Sequence, residues 1–119
     1  MKASLFILLV LLSWSCVQPT YQKTVVYTLH VPSNLHPHQV SIRGGDQPLS
    51  WETDTPLDSL NDSTFHTIVT YQTGYLFTEV KFTVDGNFEL ENAPNRRVTF
   101  SSGDTTYYSA IYNQAAPAQ

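Results

Sequence analysis

Apolar and polar residues alternate along much of the chain, which is the pattern of β-strands that bury one face. The first predicted strand spans residues 24–31, and its inward-facing positions are every second residue: Val25, Tyr27, Leu29 and Val31. Four further segments are predicted as strands on the same grounds: 38–43, 64–71, 97–100 and 105–112. In the strand over 38–43, we expect Val40 and Ile42 to face the core.

The clearest element is a predicted β-hairpin over residues 79–91. The inward positions of its first strand are all apolar: Val80, Phe82 and Val84. Asp85-Gly86 follows at once, and this dipeptide favours a two-residue turn because Gly readily adopts positive φ. In the returning strand, alternation predicts one face with Phe88 and Leu90 and the opposite face with Glu89 and Glu91.

The elements together predict an all-β fold. No segment has a sustained helical period, and about seven short strands separated by turn residues are typical of a single antiparallel β-sandwich of immunoglobulin-like type. We expect this domain over residues 24–113, preceded by a tether at 16–23 and followed by a flexible tail at 114–119. A mature chain of roughly 100 residues is large enough for one core.

The first 15 residues predict a signal peptide. Lys2 precedes an apolar run over residues 5–12 that is too short to span a bilayer. Cys16 is the only cysteine, so an internal disulfide is excluded. Two interpretations stay open: lipidation of Cys16, or an ordinary cleaved leader with a leftover thiol. Either one predicts export, to the periplasm or cell envelope as an anchored lipoprotein, or into the medium.

Charge narrows the function classes. The chain has six Lys and Arg against ten Asp and Glu, a formal net charge of −4. Nucleic-acid binding normally uses a basic stripe, so we expect no nucleic-acid partner. No segment after Leu12 is apolar for long enough to predict a membrane span. A lipid on Cys16 is therefore the one membrane contact that the sequence suggests.

Four pieces of the chain, the opening strand and three later segments, resemble the starch-binding domains, carbohydrate-binding module family 20 with its glycogen-binding relatives. VSIRGGDQPLSWET at 40–53 is similar to the family's motif with Gly, Leu and Trp. Glu79-Val80-Lys81-Phe82 resembles the strand that carries the family's Lys, and the segment at 90–96 resembles its "WE…NR" turn. The order is that of the family, and the likeness extends over nearly the whole mature chain.

The resemblance implies a non-catalytic module that binds an α-glucan or related oligosaccharide. In the family, two Trp rings, a Lys and an Asn form the main sugar site, and these map onto Trp51, Lys81 and Asn95. The second Trp falls on Leu90, and Phe88, on the same predicted strand face, is the candidate replacement. An envelope enzyme or transporter protein is the implied accompanying partner, and no cofactor is implied.

Each candidate also has a structural interpretation. Trp51 can fill one end of the core, Lys81 can be a solvated charge, and Asn95-Arg96 can hold the turn with Arg96 paired to Glu89 or Glu91. Three aromatic residues around Gly74 can form a second patch or enter the core: Tyr71, Tyr75 and Phe77. The corresponding alternative function is an envelope protein–protein interaction module that kept the fold and lost the sugar site.

Catalysis and metal binding have little support in the sequence. Glu89 and Glu91 are two residues apart on a predicted strand, so their Cα atoms are ~6.6 Å apart; any such pair has this spacing, and a small sandwich offers no evident cleft. His36 and His38, with His30 or His66, lack the spacing of a metal motif. We therefore expect neither an enzyme nor a metal site.

Overall fold

A computed structural model describes residues 19–116 as two β-sheets. The predicted signal peptide at 1–15 and the predicted lipidation of Cys16 lie outside these residues. The first sheet consists of four strands: β1 (Tyr21–His30), β4 (Asp58–Asn61), β5 (Thr64–Thr73) and β9 (Thr105–Ile111). The second consists of five: β2 (Val40–Gly44), β3 (Thr55–Pro56), β6 (Phe77–Val84), β7 (Asn87–Phe88) and β8 (Arg96–Thr99). A short 3-10 turn spans Ser33–Leu35.

The predicted all-β sandwich is confirmed, with differences in its strands. The first sheet has the order β4-β5-β1-β9, and its β1–β9 pair is parallel, whereas the sequence predicts an entirely antiparallel sandwich. Strands β3 and β4 escape the sequence pattern because they are short and polar, and all four residues of β4 are exposed. Strand β1 begins at Tyr21, three residues before the predicted start, and therefore includes part of the predicted tether.

The core lies between the two sheets and uses the predicted inward positions. Three β1 residues and the residue that follows β1 are completely buried: Val25, Tyr27, Leu29 and Val31. From the second sheet, Ile42, Val80 and Phe82 are completely buried as well. The Tyr27 ring meets the Phe82 ring edge-on across the sandwich, with centroids 6.2 Å apart. The Tyr27 and Tyr71 hydroxyls are hydrogen-bonded at 2.7 Å, and burial raises the pKa of Tyr71 to about 12.

Strand β6 has two different partners along one edge. Its first half, from Phe77 to Val80, pairs with β8, and its end at Thr83 and Val84 pairs with β7. Between β7 and β8 the chain leaves the sheet over residues 89–95. This departure positions the candidate site described below.

The prediction that the returning strand of the hairpin continues to residue 91 is therefore wrong beyond Phe88. Strand β7 ends there, Leu90 has φ 52°, and Glu89 and Leu90 are both buried, at 1% and 8% exposure. The Asp85-Gly86 turn is confirmed, with φ of 51° and 81°, which is the two-positive-φ arrangement of a type I′ turn. Within residues 19–116, the structure contains no helix of the length and apolarity needed to cross a membrane.

Candidate functional site

The candidate site lies on the outer face of the second sheet. Val80 and Phe82 point into the core, so Lys81 and Thr83 between and beyond them point outward. Arg43 on β2 is paired directly with Lys81, and Phe88 on β7 is paired directly with Thr83. Directly opposed residues share a face, so Arg43 and Phe88 lie on this outer surface too.

All four glycan-site residues predicted from the sequence line one concavity: Trp51, Lys81, Phe88 and Asn95. We call it the first groove; its volume is about 600 Å³. The exposed Glu91 and Asn92, from the segment that leaves the sheet, form part of its wall. Side chains from β6, β7 and two separate loops thus meet at one surface.

Trp51 is half-buried and lies outside the buried core. The interpretation of Trp51 as a plug for the core is therefore wrong. Its loop is tied to the sheet because Gly45 N–H donates to the Glu79 carbonyl at 3.1 Å and Arg43 Nη1 donates to the Trp51 carbonyl at 2.9 Å. A Cβ on Gly45 would lie 3.2 Å from Trp51 Nε1, so the absent side chain lets the indole sit close to the backbone.

Arg43 is a site residue that the sequence pattern did not single out. Its guanidinium lies over the Phe88 ring, 5.1 Å from the centroid, and Nε donates to Asp54 Oδ1 at 2.7 Å. The same Asp54 oxygen accepts from the Thr83 hydroxyl at 3.0 Å. Arg43 therefore fixes Phe88 and the Trp51 loop relative to each other. The one sequence signal for Arg43 is the alternation of the strand, which places it on the outer face because Ile42 faces the core.

Lys81 and Asn95 have structural bonds and retain donors for a ligand. Lys81 Nζ donates to the Leu90 and Ala93 carbonyls, each at 3.1 Å, which uses two of the three ammonium N–H groups. Asn95 Nδ2 donates to Glu79 Oε2 at 3.3 Å, which uses one of its two N–H groups. The alternative in which Lys81 is only a solvated charge is wrong.

The segment 89–95 is held by a buried ion pair between Glu89 and Arg96. Arg96 Nε and Nη2 donate to the two Glu89 carboxylate oxygens, each at 2.7 Å. Glu89 Oε2 also accepts from the Phe82 backbone N–H at 2.9 Å, so the carboxylate occupies the place of a partner strand beside β6. The predicted structural role of Arg96 is confirmed, with Glu89 as its partner.

The same ion pair joins the site to the C-terminal residues. Arg96 Nη2 donates to the Ile111 and Gln114 carbonyls at 3.0 and 2.7 Å, so Gln114, predicted to begin a flexible tail, is bonded to the domain. Burial alone lowers the pKa of Arg96, but the hydrogen bonds and charge of Glu89 outweigh it, so the pKa is raised overall. The guanidinium is therefore a permanent cation inside the fold.

Leu90 does not share a face with Phe88. The Leu90 N–H donates to Asn113 Oδ1 at 2.8 Å, its φ is positive, at 52°, and its side chain is buried, with 8% exposure. Phe88 is 39% exposed and lines the first groove. The ring beside Trp51 in this groove is therefore Phe88.

The other predicted clusters separate in the structure. Tyr71 is buried in the core, whereas Tyr75 and Phe77 are 69% and 37% exposed. Among residues 19–116, no group of three or more His, Cys, Asp or Glu side chains is placed to hold a metal ion.

No protein-family model and no curated protein sequence matches this chain at a significant level. The fold and the geometry of the first groove are therefore the basis for the function proposed below.

Proposed function

We propose that this protein is a non-catalytic carbohydrate-binding module for α-glucan or related oligosaccharide chains. The observation that carries the proposal is the convergence of Trp51, Phe88, Lys81 and Asn95 on one groove. These residues come from distant parts of the sequence, and the resemblance to starch-binding domains implies each of them as a glycan contact. The resemblance to starch-binding domains supports the same ligand class.

The chemistry of the groove suits a pyranose ring. The C–H face of a glucose unit is apolar and packs on aromatic surfaces through dispersion. The hydroxyls at its edge require hydrogen-bond partners, which the third N–H of Lys81 and the second N–H of Asn95 supply. With one Trp and one Phe, we expect a Kd on the order of 1 mM, roughly −4 kcal/mol.

Catalysis is not part of the proposal. Of the two carboxylates considered in the sequence, Glu89 is 1% exposed and engaged by Arg96, whereas Glu91 is exposed in the wall of the groove. A glycosidase requires both carboxylates to reach the scissile bond. Of these two carboxylates, only Glu91 can contact a glycan in the groove.

Tryptophan fluorescence gives a direct test. In a chain with Trp14→Phe, Trp51 is the sole tryptophan, and titration with maltoheptaose to roughly 10 mM exceeds the expected Kd. We expect a saturable change in emission. By calorimetry, Trp51→Ala in a folded protein should abolish binding, and Tyr107→Ala, an exposed aromatic on the opposite sheet, should not. A flat titration of the folded protein would contradict the proposal.

The cellular setting is a proposal from the sequence alone. A leader followed by Cys16 would place the module at the cell envelope, anchored through a lipid or released after cleavage. There it would hold glucan near an enzyme or transporter. Metabolic labelling with a fatty-acid analogue, compared between the natural chain and Cys16→Ala, separates anchoring from release.

A second candidate function, an envelope protein–protein interaction module, is favoured by one specific feature. Ile68, Val26 and Tyr107 are paired side by side across β5, β1 and β9, and Ile68 and Tyr107 are 62% and 80% exposed. Exposed apolar rows of this kind occur at protein interfaces. If this function holds, Ile68→Glu should reduce cross-linking to a specific envelope protein, and Thr70→Glu on the same face should reduce it less.

A further inference from the structure

A second groove borders Trp51. It is lined by Trp51 together with six neighbours from the Gly45 loop, the turn before β6 and the start of β6: Gly45, Asp46, Tyr75, Phe77, Thr78 and Glu79. Trp51 is thus common to both grooves. The second groove has a volume of about 230 Å³, smaller than the first.

One row of side chains on β6 connects the two grooves. Phe77, Glu79 and Lys81 alternate with the buried Thr78 and Val80, so all three point to the outer face. Phe77 lies in the second groove and Lys81 in the first. At the rise of a strand, the two Cα atoms are ~13 Å apart, a span longer than a single sugar ring.

The polar groups between the grooves are already oriented. Glu79 lines the second groove, Asn95 lines the first, and the Asn95 amide donates to the Glu79 carboxylate at 3.3 Å. This bond crosses the boundary between the grooves. It places acceptors and donors along the path that a chain passing Trp51 would follow.

The second groove is held in a fixed relation to the Trp51 loop. Thr78 Oγ1 donates to Asp46 Oδ2 at 2.6 Å, and Tyr75 N–H donates to Thr73 Oγ1 at 2.9 Å. The Phe77 ring is braced by the Arg97 guanidinium, 3.9 Å from its centroid. Tyr75 is the most exposed aromatic ring of the groove, at 69%, so its face is accessible to a ligand.

We infer that Tyr75 and Phe77 form a second glycan subsite, continuous with the first groove through Trp51, so that the protein binds longer α-glucan chains more tightly than short ones. This inference rests on the proposed function. A short oligosaccharide occupies the first groove, and a longer one extends past Trp51 onto Tyr75. Its additional units gain contact with an aromatic ring and with the carboxylates of Glu79 and Asp46.

The test compares maltotriose and maltoheptaose by calorimetry on the natural chain and on Tyr75→Ala. We expect the natural protein to bind maltoheptaose about fivefold more tightly than maltotriose, which corresponds to one added aromatic contact. Tyr75→Ala should remove that difference and leave the maltotriose Kd within about twofold of the natural value. Tyr107→Ala, which removes an exposed tyrosine of the other sheet, should keep the difference.

The outcomes separate this inference from the function on which it rests. Binding that needs Trp51 but shows no preference for the longer chain would overturn the second subsite alone. A preference that persists in Tyr75→Ala would overturn it as well. Absence of binding to either sugar by the folded natural protein would overturn both proposals. Thermal melts of each variant verify folding, since Tyr75 is exposed and its loss should not change the melting temperature.

Discussion

Arg96 donates two hydrogen bonds of 2.7 Å to the Glu89 carboxylate, and both side chains are almost fully buried. The pair lies where β6 changes partner from β8 to β7. Glu89 satisfies the Phe82 N–H with its carboxylate and the Phe82 carbonyl with its own N–H. The pair therefore closes a gap in the sheet and lets residues 89–95 form the wall of the first groove.

Removing one partner of this pair should strongly destabilise the protein. In Glu89→Gln the guanidinium of Arg96 stays buried without a counter-charge, which costs on the order of 3–5 kcal/mol. Chemical denaturation measures the change in the free energy of unfolding. Glu91→Gln, the same substitution at an exposed position two residues away, is the matched control and should change that free energy by less than about 0.5 kcal/mol. Equal effects of the two variants would contradict the role assigned to the pair.

The position of the second aromatic ring can be tested by placing Trp at two sites. Phe88→Trp enlarges a ring that already lines the first groove, and we expect maltotriose to bind about threefold more tightly. Leu90→Trp forces a larger side chain into a buried position, which should cost about 1–3 kcal/mol of stability without a gain in affinity.

Calorimetry and thermal melts on both Trp variants give the two quantities separately. Tighter sugar binding by Leu90→Trp at unchanged stability would mean that residue 90 reaches the groove, as the sequence pattern alone suggested.

Asp85 should make stability depend on pH in the acid range. Its Oδ1 accepts from the Gln39 and His38 N–H groups at 2.8 and 2.9 Å. These bonds, of which the one from Gln39 has the larger effect, hold the pKa of Asp85 below the ordinary 3.8. A carboxyl with a lowered pKa in the folded state adds stability above pH 3.8 and loses it as the pH falls through the lowered value. Asp85→Asn should therefore melt at a lower temperature at neutral pH, and the difference should shrink in acid.

Melting temperatures across the acid range measure this effect. Asn also tolerates positive φ, so the turn conformation is kept in Asp85→Asn. Asp58→Asn, at an exposed position on β4, controls for the change in net charge. A difference that stays constant from neutral to acid pH would assign the effect to the turn and not to the carboxylate.

Local patterns sufficed for the strands with one buried face, missed the short polar strands β3 and β4, and failed where distant residues decide the conformation. Strand β6 is predicted by its alternating apolar residues Val80, Phe82 and Val84, because burial on one face imposes a period of two. The same rule misplaces Leu90, because residues from elsewhere in the chain bind this segment. Arg96 pairs with the Glu89 carboxylate, and Asn113 accepts from the Leu90 N–H. Propensity and periodicity contain no information on such contacts.

The candidate site shows the same division. Trp51, Lys81 and Asn95 were found through a resemblance in short segments, since their spacing alone does not place them together. Arg43 was missed because its role depends on Phe88 and Asp54, which only the paired strands and the folded loop bring to it. For Tyr75 and Phe77 the sequence left open a surface patch or burial in the core, and their position beside Trp51 depends on the folded loop that the Thr78–Asp46 bond holds.

The parallel pairing of β1 with β9 has a mechanical consequence. The chain enters β1 at Tyr21 and leaves β9 at Ile111, which is paired with His30 at the far end of β1. Tension applied between Tyr21 and Ile111 would slide the two strands along each other, so that the whole ladder of slanted hydrogen bonds resists at once. A hairpin pulled at its open end yields one bond at a time.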